Sequence, residues 1–156
     1  MKKITILIIV GLVILADQLS KYLAIKHLGA NTPMFLLPVL NLHLTFNHGM
    51  AFSLFYDKGV NAPLLLVSLT ATIALVVAYL LVKERLRVLQ FAYAGILGGA
   101  IGNIIDRLRY GAVIDFIDAH INNYHWPVFN VADSCICLGA LLLLLNKKTS
   151  GVVYEK

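Results

Sequence analysis

Two aspartates in the second half of the chain have a setting that could support acid–base chemistry. Asp115 lies in the segment GAVIDF, and Asp133 follows FNVA at the start of an apolar run. Two carboxyl groups held within about 3 Å of each other share one proton, so one serves as a general base toward water while the other donates to a carbonyl oxygen. Such a pair would hydrolyse an amide without a covalent intermediate.

Each aspartate also has a purely structural explanation. Asn130 could cap a helix, and Asp133, three residues later, would then stabilise the positive end of that helix. Asp115 could form an ion pair with Arg107 or Arg109 in an outer connection. Spacing alone leaves these explanations open beside the catalytic one.

Other catalytic chemistries lack their sequence signatures. The chain contains no H-E-x-x-H, G-x-S-x-G or G-x-x-x-x-G-K-[ST] motif. His120 and His125 are five residues apart, and His43 and His48 fall at the end of a predicted strand, so neither pair has helix-face ligand spacing. We therefore expect no metal and no cofactor.

The composition indicates a membrane protein. Of the 156 residues, 60% are hydrophobic and 13% are charged, whereas an ordinary soluble domain has roughly 45–50% apolar and about 25% charged residues. The net charge is +5, but the basic residues are dispersed at the ends of apolar runs. This distribution is typical of topological signals and predicts no nucleic-acid partner.

Four apolar segments are long enough to cross the roughly 30 Å hydrocarbon core of a bilayer. The first resembles the start of a secretory signal peptide, but no A-x-A cleavage site follows it, so we expect it to be retained. The prediction is one integral membrane domain, residues 1–156, with spans at about 4–22, 60–82, 88–105 and 128–145, and outer segments at about 24–59 and 106–127.

Lysine and arginine predict the orientation, because cytoplasmic connections are enriched in them. Three basic groups mark alternate connections, which places both termini in the cytoplasm and the two longer segments outside. The groups are Lys2 and Lys3; Lys83, Arg85 and Arg87; Lys147 and Lys148.

The first outer segment predicts a small β region. Apolar and polar residues alternate over 40–47, which is typical of a strand. Pro33 and Pro38 precede it and would break a helix. The apolar stretch Met50 to Tyr56 is predicted to lie on the membrane surface as an amphipathic segment.

Four glycines in the third span form two overlapping G-x-x-x-G pairs, which allow neighbouring helices to approach closely. They are Gly95, Gly98, Gly99 and Gly102. The predicted fold is therefore an all-α membrane protein, a compact bundle of four transmembrane helices carrying a small outer, periplasmic-side β region.

Polar residues that are costly in a bilayer converge on the outer side of this topology, and each needs a partner or a function. They lie at the outer helix ends or in the outer segments, and they are Asp17, Lys21, Asn47, Asn103, Arg107, Asp115, Asn130 and Asp133.

These residues fall within five blocks that resemble, in order, those of the bacterial lipoprotein signal peptidases, or type II signal peptidases. The family consists of small four-span aspartic proteases of the inner membrane. The blocks are D-Q-L-S-K at 17–21, N-H-G-M-A-F-S at 47–53, G-N-I-I-D-R at 102–107, G-A-V-I-D-F at 111–116 and F-N-V-A-D at 129–133.

The resemblance implies that Asp115 and Asp133 are the catalytic pair. It implies that six further residues bind substrate or support the site: Asp17, Lys21, Asn47, Asn103, Arg107 and Asn130. Asp106 is the weaker candidate acid, because its neighbour Arg107 offers it an ion-pair partner. His48 and Met50 depart from the family pattern, in which smaller residues are frequent.

The resemblance also implies the substrate, a prolipoprotein whose lipobox cysteine carries a diacylglyceryl group, cleaved just before that cysteine. Each buried methylene adds about 0.8 kcal/mol of membrane affinity, so this substrate stays in the bilayer. We expect an inner-membrane enzyme that contacts membrane lipid, acts as a monomer and has its active site toward the outer face.

Two other readings of the residues stay open. A small proton-coupled transporter would also place acids on spanning helices, but at several depths. A non-enzymatic assembly protein would use the glycine face for packing and would tolerate Asn in place of Asp115 or Asp133.

Overall fold

The computed structural model describes residues 1–29, 33–49 and 62–150, and it is mostly helical. In the described part, three helices are long and apolar enough to cross a membrane, at Lys3–His27, Leu64–Lys83 and Arg87–Tyr110, and a shorter apolar stretch runs over Val131–Asn146. The helices are α1 (Lys3–His27), α2 (Ala62–Lys83), α3 (Arg87–Tyr110) and α4 (Val131–Ser150).

Three helices continue well beyond their predicted spans. α1 extends to His27, and α4 starts at Val131 and extends to Ser150. α3 extends to Tyr110, so that Asp106 and Arg107 lie on a helix rather than in a connection. Hydropathy marks only the apolar part of a helix, whereas backbone hydrogen bonds continue through the charged turns. α3 ends where Gly111 adopts φ +69° and donates its N–H to the carbonyl of Arg107 at 3.1 Å.

An antiparallel sheet of strand order β1-β2-β3-β4 connects the helices at one end. Its strands are β1 (Met34–Leu37), β2 (Leu40–Asn47), β3 (Val113–Ile121) and β4 (Tyr124–His125). The strand predicted at 40–47 is confirmed, whereas β3 was not predicted. Residues 113–116 of β3 are all buried, so this strand lacks the polar–apolar alternation of a half-exposed one. The predicted amphipathic stretch 50–56 lies outside the described residues.

On β3, Asp115 lies between two buried apolar residues. Ile114 and Phe116 belong to a buried cluster with Ala24 of α1 and with Leu28, the residue that follows this helix. On the neighbouring strand, Thr45 lies opposite Asp115. The packing of the sheet against the end of α1 therefore restrains the backbone on both sides of this carboxylate.

The two G-x-x-x-G pairs of α3 contact different helices. A Cβ on Gly98 would lie 2.8 Å from the Cβ of Val13 in α1, and one on Gly102 would lie 2.5 Å from Oδ2 of Asp17. A Cβ on Gly99 would instead lie 2.5 Å from the carbonyl oxygen of Ala132 in α4. The predicted close approach is confirmed, and α3 is the helix on which α1 and α4 both pack.

The opposite end of the bundle brings together the N-terminus and the connection between α2 and α3. The Met1 ammonium group donates to Oε1 of Gln90 at 2.5 Å, and the Gln90 side chain donates to the Glu84 carbonyl at 2.7 Å. The sheet adjoins the other end of α1, so the N-terminus and the α2–α3 connection lie at the end of the bundle away from the sheet.

Gly99→Ala should destabilise the bundle, because the new methyl group meets the Ala132 carbonyl, a backbone atom that cannot move aside freely. We expect a lower thermal unfolding temperature in detergent micelles, corresponding to about 1–3 kcal/mol of overpacking strain. Gly11→Ala is the matched control, since nothing lies within 4 Å of a Cβ at that position. Equal unfolding temperatures for the two variants would contradict this packing.

Candidate active site

Asp115 accepts one amide hydrogen bond on each carboxyl oxygen. Nδ2 of Asn130 donates to Oδ1 at 2.7 Å, and Nδ2 of Asn47 donates to Oδ2 at 2.9 Å. The residue is only 2% exposed. The carboxylate is carried by β3 and is held by one side chain from β2 and one from the residue that precedes α4.

Asp133 lies in the first turn of α4 and is half-buried. Nδ2 of Asn103 donates to its Oδ1 at 2.8 Å, and its own backbone N–H donates to Oδ1 of Asn130 at 2.8 Å. Asn130 therefore caps α4, as the structural explanation predicts, and also binds Asp115. One side chain thus caps the helix that carries Asp133 and donates a hydrogen bond to Asp115.

The amide groups of Asn130 and Asn103 have defined orientations. The oxygen of Asn130 is occupied by the helix cap, so its Nδ2 is left to face Asp115 and also reaches Oδ1 of Asn103 at 3.3 Å. Oδ1 of Asn103 accepts from Nζ of Lys21 at 3.0 Å, which leaves its Nδ2 for Asp133. Each aspartate consequently receives a donor rather than an acceptor.

A buried ion cluster lies behind these amides. Nζ of Lys21 is 2.8 Å from Oδ2 of Asp17 and 2.6 Å from Oδ2 of Asp106, and all three side chains are almost completely inaccessible. Asp17 also accepts the N–H of Ala132 at 2.9 Å, and Asp106 accepts the N–H of Ile114 at 3.2 Å. The cluster therefore joins α1 and α3 to the start of α4 and to β3.

The ion-pair partners suggested by the sequence are wrong for two of the acids. Asp106 pairs with Lys21 rather than with its neighbour Arg107. Asp115 has no ion pair with Arg107 or Arg109, both of which lie in the described part of the chain. Arg107 donates to the Asn103 carbonyl at 3.4 Å and interacts over longer distances with the charges of Asp133, Asp106 and Asp115.

The electrostatic setting raises the pKa of Asp115. Burial raises the pKa of this carboxyl to about 6, the hydrogen bond from Asn47 opposes the shift, and the negative charge of Asp133 adds to it. A carboxyl group whose pKa is raised to about 6 beside a second carboxylate is suited to acid–base chemistry.

All eight residues predicted for the site belong to one hydrogen-bond and ion-pair network, in which Arg107 is the peripheral member. Sequence reasoning missed Gln18. Its Nε2 donates to Asp106 at 2.9 Å, to Asp17 at 3.2 Å and to the Gly102 carbonyl at 3.2 Å. The available signal was an amide side chain inside an apolar helix, which needs partners as a charge does.

A second polar cluster on the sheet was also missed. Asp118 accepts from Asn41 at 3.1 Å and lies 2.8 Å from Nδ1 of His125, whose ring stacks on that of His120. Burial opposes ionisation of Asp118, but these hydrogen bonds outweigh it and lower its pKa. Among the described residues, no three or more His, Cys, Asp or Glu are arranged to hold a metal ion.

A family model described as "Signal peptidase (SPase) II" matches residues 9–147. The chain belongs to the signal peptidase II family. Similar proteins include lipoprotein signal peptidases of Thermodesulfovibrio yellowstonii, 47% identical over 133 residues, 85% of this chain and 87% of the relative, and of Francisella tularensis, 41% identical over 155 residues, 95% of this chain and 96% of the relative.

Two solved structures share the fold of this signal peptidase II chain. Both are described as bacterial membrane enzymes. The first has a TM-score of 0.82 at 29% identity, and the alignment covers 99% of this chain and 95% of the solved chain. The second has a TM-score of 0.77 at 26% identity, and the alignment covers 99% of this chain and 96% of the solved chain. The resemblance carried by the five sequence blocks is confirmed, and the chain is a peptidase with long apolar helices.

Asn47→Ala should raise the pKa of Asp115 above about 6, because the lost hydrogen bond favours the ionised form. The protonated-carboxyl infrared band, assigned by its disappearance in Asp115→Asn, can be followed against pH. Asn41→Ala is the matched control, since Asn41 donates to Asp118 instead. A midpoint for Asp115 that is unchanged or lowered in Asn47→Ala would contradict the role given to Asn47.

Proposed function

We propose that this signal peptidase II chain removes the signal peptide of prolipoproteins by water-mediated hydrolysis, with Asp115 and Asp133 as its catalytic pair. The observation that carries the proposal is Asn130, whose Nδ2 donates to one carboxylate while its Oδ1 caps the helix turn bearing the other. This one side chain links the Asp115 carboxylate to the backbone N–H of Asp133.

The mechanism uses one proton shared by the pair. The ionised carboxylate takes a proton from water as the oxygen attacks the scissile carbonyl, and the protonated carboxyl donates to the carbonyl oxygen, giving a neutral tetrahedral diol. Return of a proton to the amide nitrogen then allows the C–N bond to break, releasing an amine and a carboxylic acid. The titration belongs to the coupled pair, so neither aspartate is assigned a fixed starting role.

The free oxygen of Asp133 supports this scheme. Within the described ranges, no protein group donates to its Oδ2, whereas Oδ1 is bound by Asn103. Asp133 is half-buried while Asp115 is buried, so the pair has one member open to water. The start of α4 also stabilises negative charge on Asp133 through its helix dipole.

The other polar residues have supporting roles in this proposal. Asn47, Asn103 and Asn130 orient the two carboxylates by donating to them. Asp17 and Lys21 hold the helices in register behind the site. The guanidinium of Arg107 lies at the edge, where it can bind a peptide carbonyl or a lipid phosphate.

The substrate proposed is a prolipoprotein carrying a diacylglyceryl group on its lipobox cysteine, cleaved before that cysteine. The relatives are named lipoprotein signal peptidases, and acyl chains keep such a substrate in the bilayer. The network that holds the two aspartates lies where α1, α3 and the start of α4 meet the sheet, which is where a membrane-bound peptide and water can both be reached.

We further propose that α4 is a fourth transmembrane span and that both termini are cytoplasmic. The N-terminus and the α2–α3 connection lie at one end of the bundle, and Lys2, Lys3, Lys83, Arg85 and Arg87 are found there. Because basic residues favour the cytoplasmic side, the sheet and the aspartates then face outward.

Replacing either aspartate by asparagine should abolish turnover without unfolding the protein. Asp115→Asn and Asp133→Asn each remove the shared proton while keeping shape, and general acid–base catalysis is worth about 10²–10⁴-fold, so we expect at least a 10²-fold loss of cleavage rate. Asp118→Asn is the matched control, because Asp118 is a buried acid on the same strand but outside the pair.

The assay uses purified enzyme and a diacylated lipobox peptide, with an unacylated peptide in parallel and the products mapped by mass. We expect cleavage before the lipidated cysteine, little cleavage of the unacylated peptide, and no effect of a chelator. Activity of both Asn variants within a few-fold of that of Asp118→Asn would exclude the aspartic mechanism. Equal cleavage of both peptides would exclude recognition of the lipid.

A further inference from the structure

A cavity of about 320 Å³ lies between the end of α1 and the sheet, apart from the aspartate pair. α1 contributes Ser20, Leu23 and His27 to its wall, and the sheet contributes Met34, Leu42 and Phe116. The hydroxyl of Ser20 donates to the Asp17 carbonyl at 2.8 Å, so it is already satisfied. The wall is therefore almost wholly hydrocarbon, which suits an apolar ligand.

The position of the cavity relative to the bilayer indicates that the ligand comes from the membrane. α1 has 25 residues, so it is about 37 Å long and exceeds the roughly 30 Å hydrocarbon core. Its last turns, from Ser20 to His27, then run from the edge of the hydrocarbon into the headgroup region. The adjacent face of α1 exposes Leu19 and Tyr22, so the cavity adjoins a surface that faces lipid chains.

The charges beside the cavity fit a phospholipid. Lys26 and His27 form the basic last turn of α1 and are exposed, and His27 itself lines the cavity. A basic residue at headgroup depth attracts the phosphate of an anionic lipid. An acyl chain entering from this end would leave its phosphate within reach of these two side chains.

We propose that this cavity is a binding site for one acyl chain of an anionic phospholipid from the adjoining leaflet, with the headgroup phosphate beside Lys26 and His27. The lipid would be a resident component and not the substrate. Phe116 lines the cavity, whereas the carboxylate of Asp115 is bound by Asn47 and Asn130 of the separate polar network. The proposal therefore stands independently of the catalytic one.

The test measures lipid retained by the intact protein. The protein is purified in detergent with dioleoyl-phosphatidylglycerol, and bound lipid is counted by native mass spectrometry. We expect one tightly held phosphatidylglycerol per chain. Ser20→Phe fills the cavity and should lower retention at least tenfold, because each methylene kept out of an apolar site weakens binding about fourfold.

Leu19→Phe is the matched control, because it places the same side chain on the neighbouring exposed position and should retain lipid as the wild type does. Lys26→Gln should lower retention of phosphatidylglycerol more than that of phosphatidylcholine, because the phosphate of phosphatidylcholine is neutralised by its own choline group. Equal loss in Leu19→Phe and Ser20→Phe, or no retention by the wild type, would overturn the proposal.

A fluorescence measurement keeps the proposal falsifiable if Ser20→Phe does not fold. Trp126 is the single tryptophan, so Trp126→Phe combined with Phe116→Trp reports from the cavity wall alone. A phosphatidylglycerol brominated on its acyl chain should quench this tryptophan at about one lipid per protein. Quenching that rises only with the total lipid in the micelle would show contact with bulk lipid and would overturn the site.

Discussion

The ammonium group of Lys21 is the interaction on which the rest of the site depends. It is buried among apolar helices, where an unpaired charge would be prohibitively costly, and the carboxylates of Asp17 and Asp106 compensate it at 2.8 and 2.6 Å. Those acids in turn accept backbone N–H groups at the start of α4 and on β3. The chain thereby couples the folding of its membrane helices to the position of two elements, β3 with Asp115 and α4 with Asp133.

The same ammonium group also helps to determine that amide N–H groups, rather than amide oxygens, face the aspartates. Lys21 donates to the oxygen of the Asn103 amide, so the nitrogen of that amide faces Asp133. The oxygen of the Asn130 amide caps α4, so its nitrogen faces Asp115. The aspartates therefore meet a prearranged set of donors. Such preorganisation in a water-poor setting is how a site stabilises charge that moves during reaction, and it allows a peptidase to work next to hydrocarbon with few groups.

Much of the helical scaffold is predictable, because membrane spans depend on local hydropathy and the glycine pairs depend on local spacing. β2 is predictable from alternation over 40–47, whereas β3 is buried on both faces and has no such pattern. The partner of Asp106 was misjudged because Arg107 is adjacent in sequence, while Lys21 comes from another helix. The relative position of Asp115 and Asp133 depends on where a strand and a helix start are placed. Spacing alone therefore leaves their pairing open, and the resemblance of five blocks is what favours it.

The pH dependence of kcat/KM for a diacylated lipobox peptide tests the central claim most directly. A pair of aspartates that works with one shared proton predicts a bell-shaped profile, because activity is lost when both groups are protonated and again when both are ionised. A profile that rises through a single ionisation and then stays level would contradict the shared proton. That result would assign the reaction to one carboxylate acting alone.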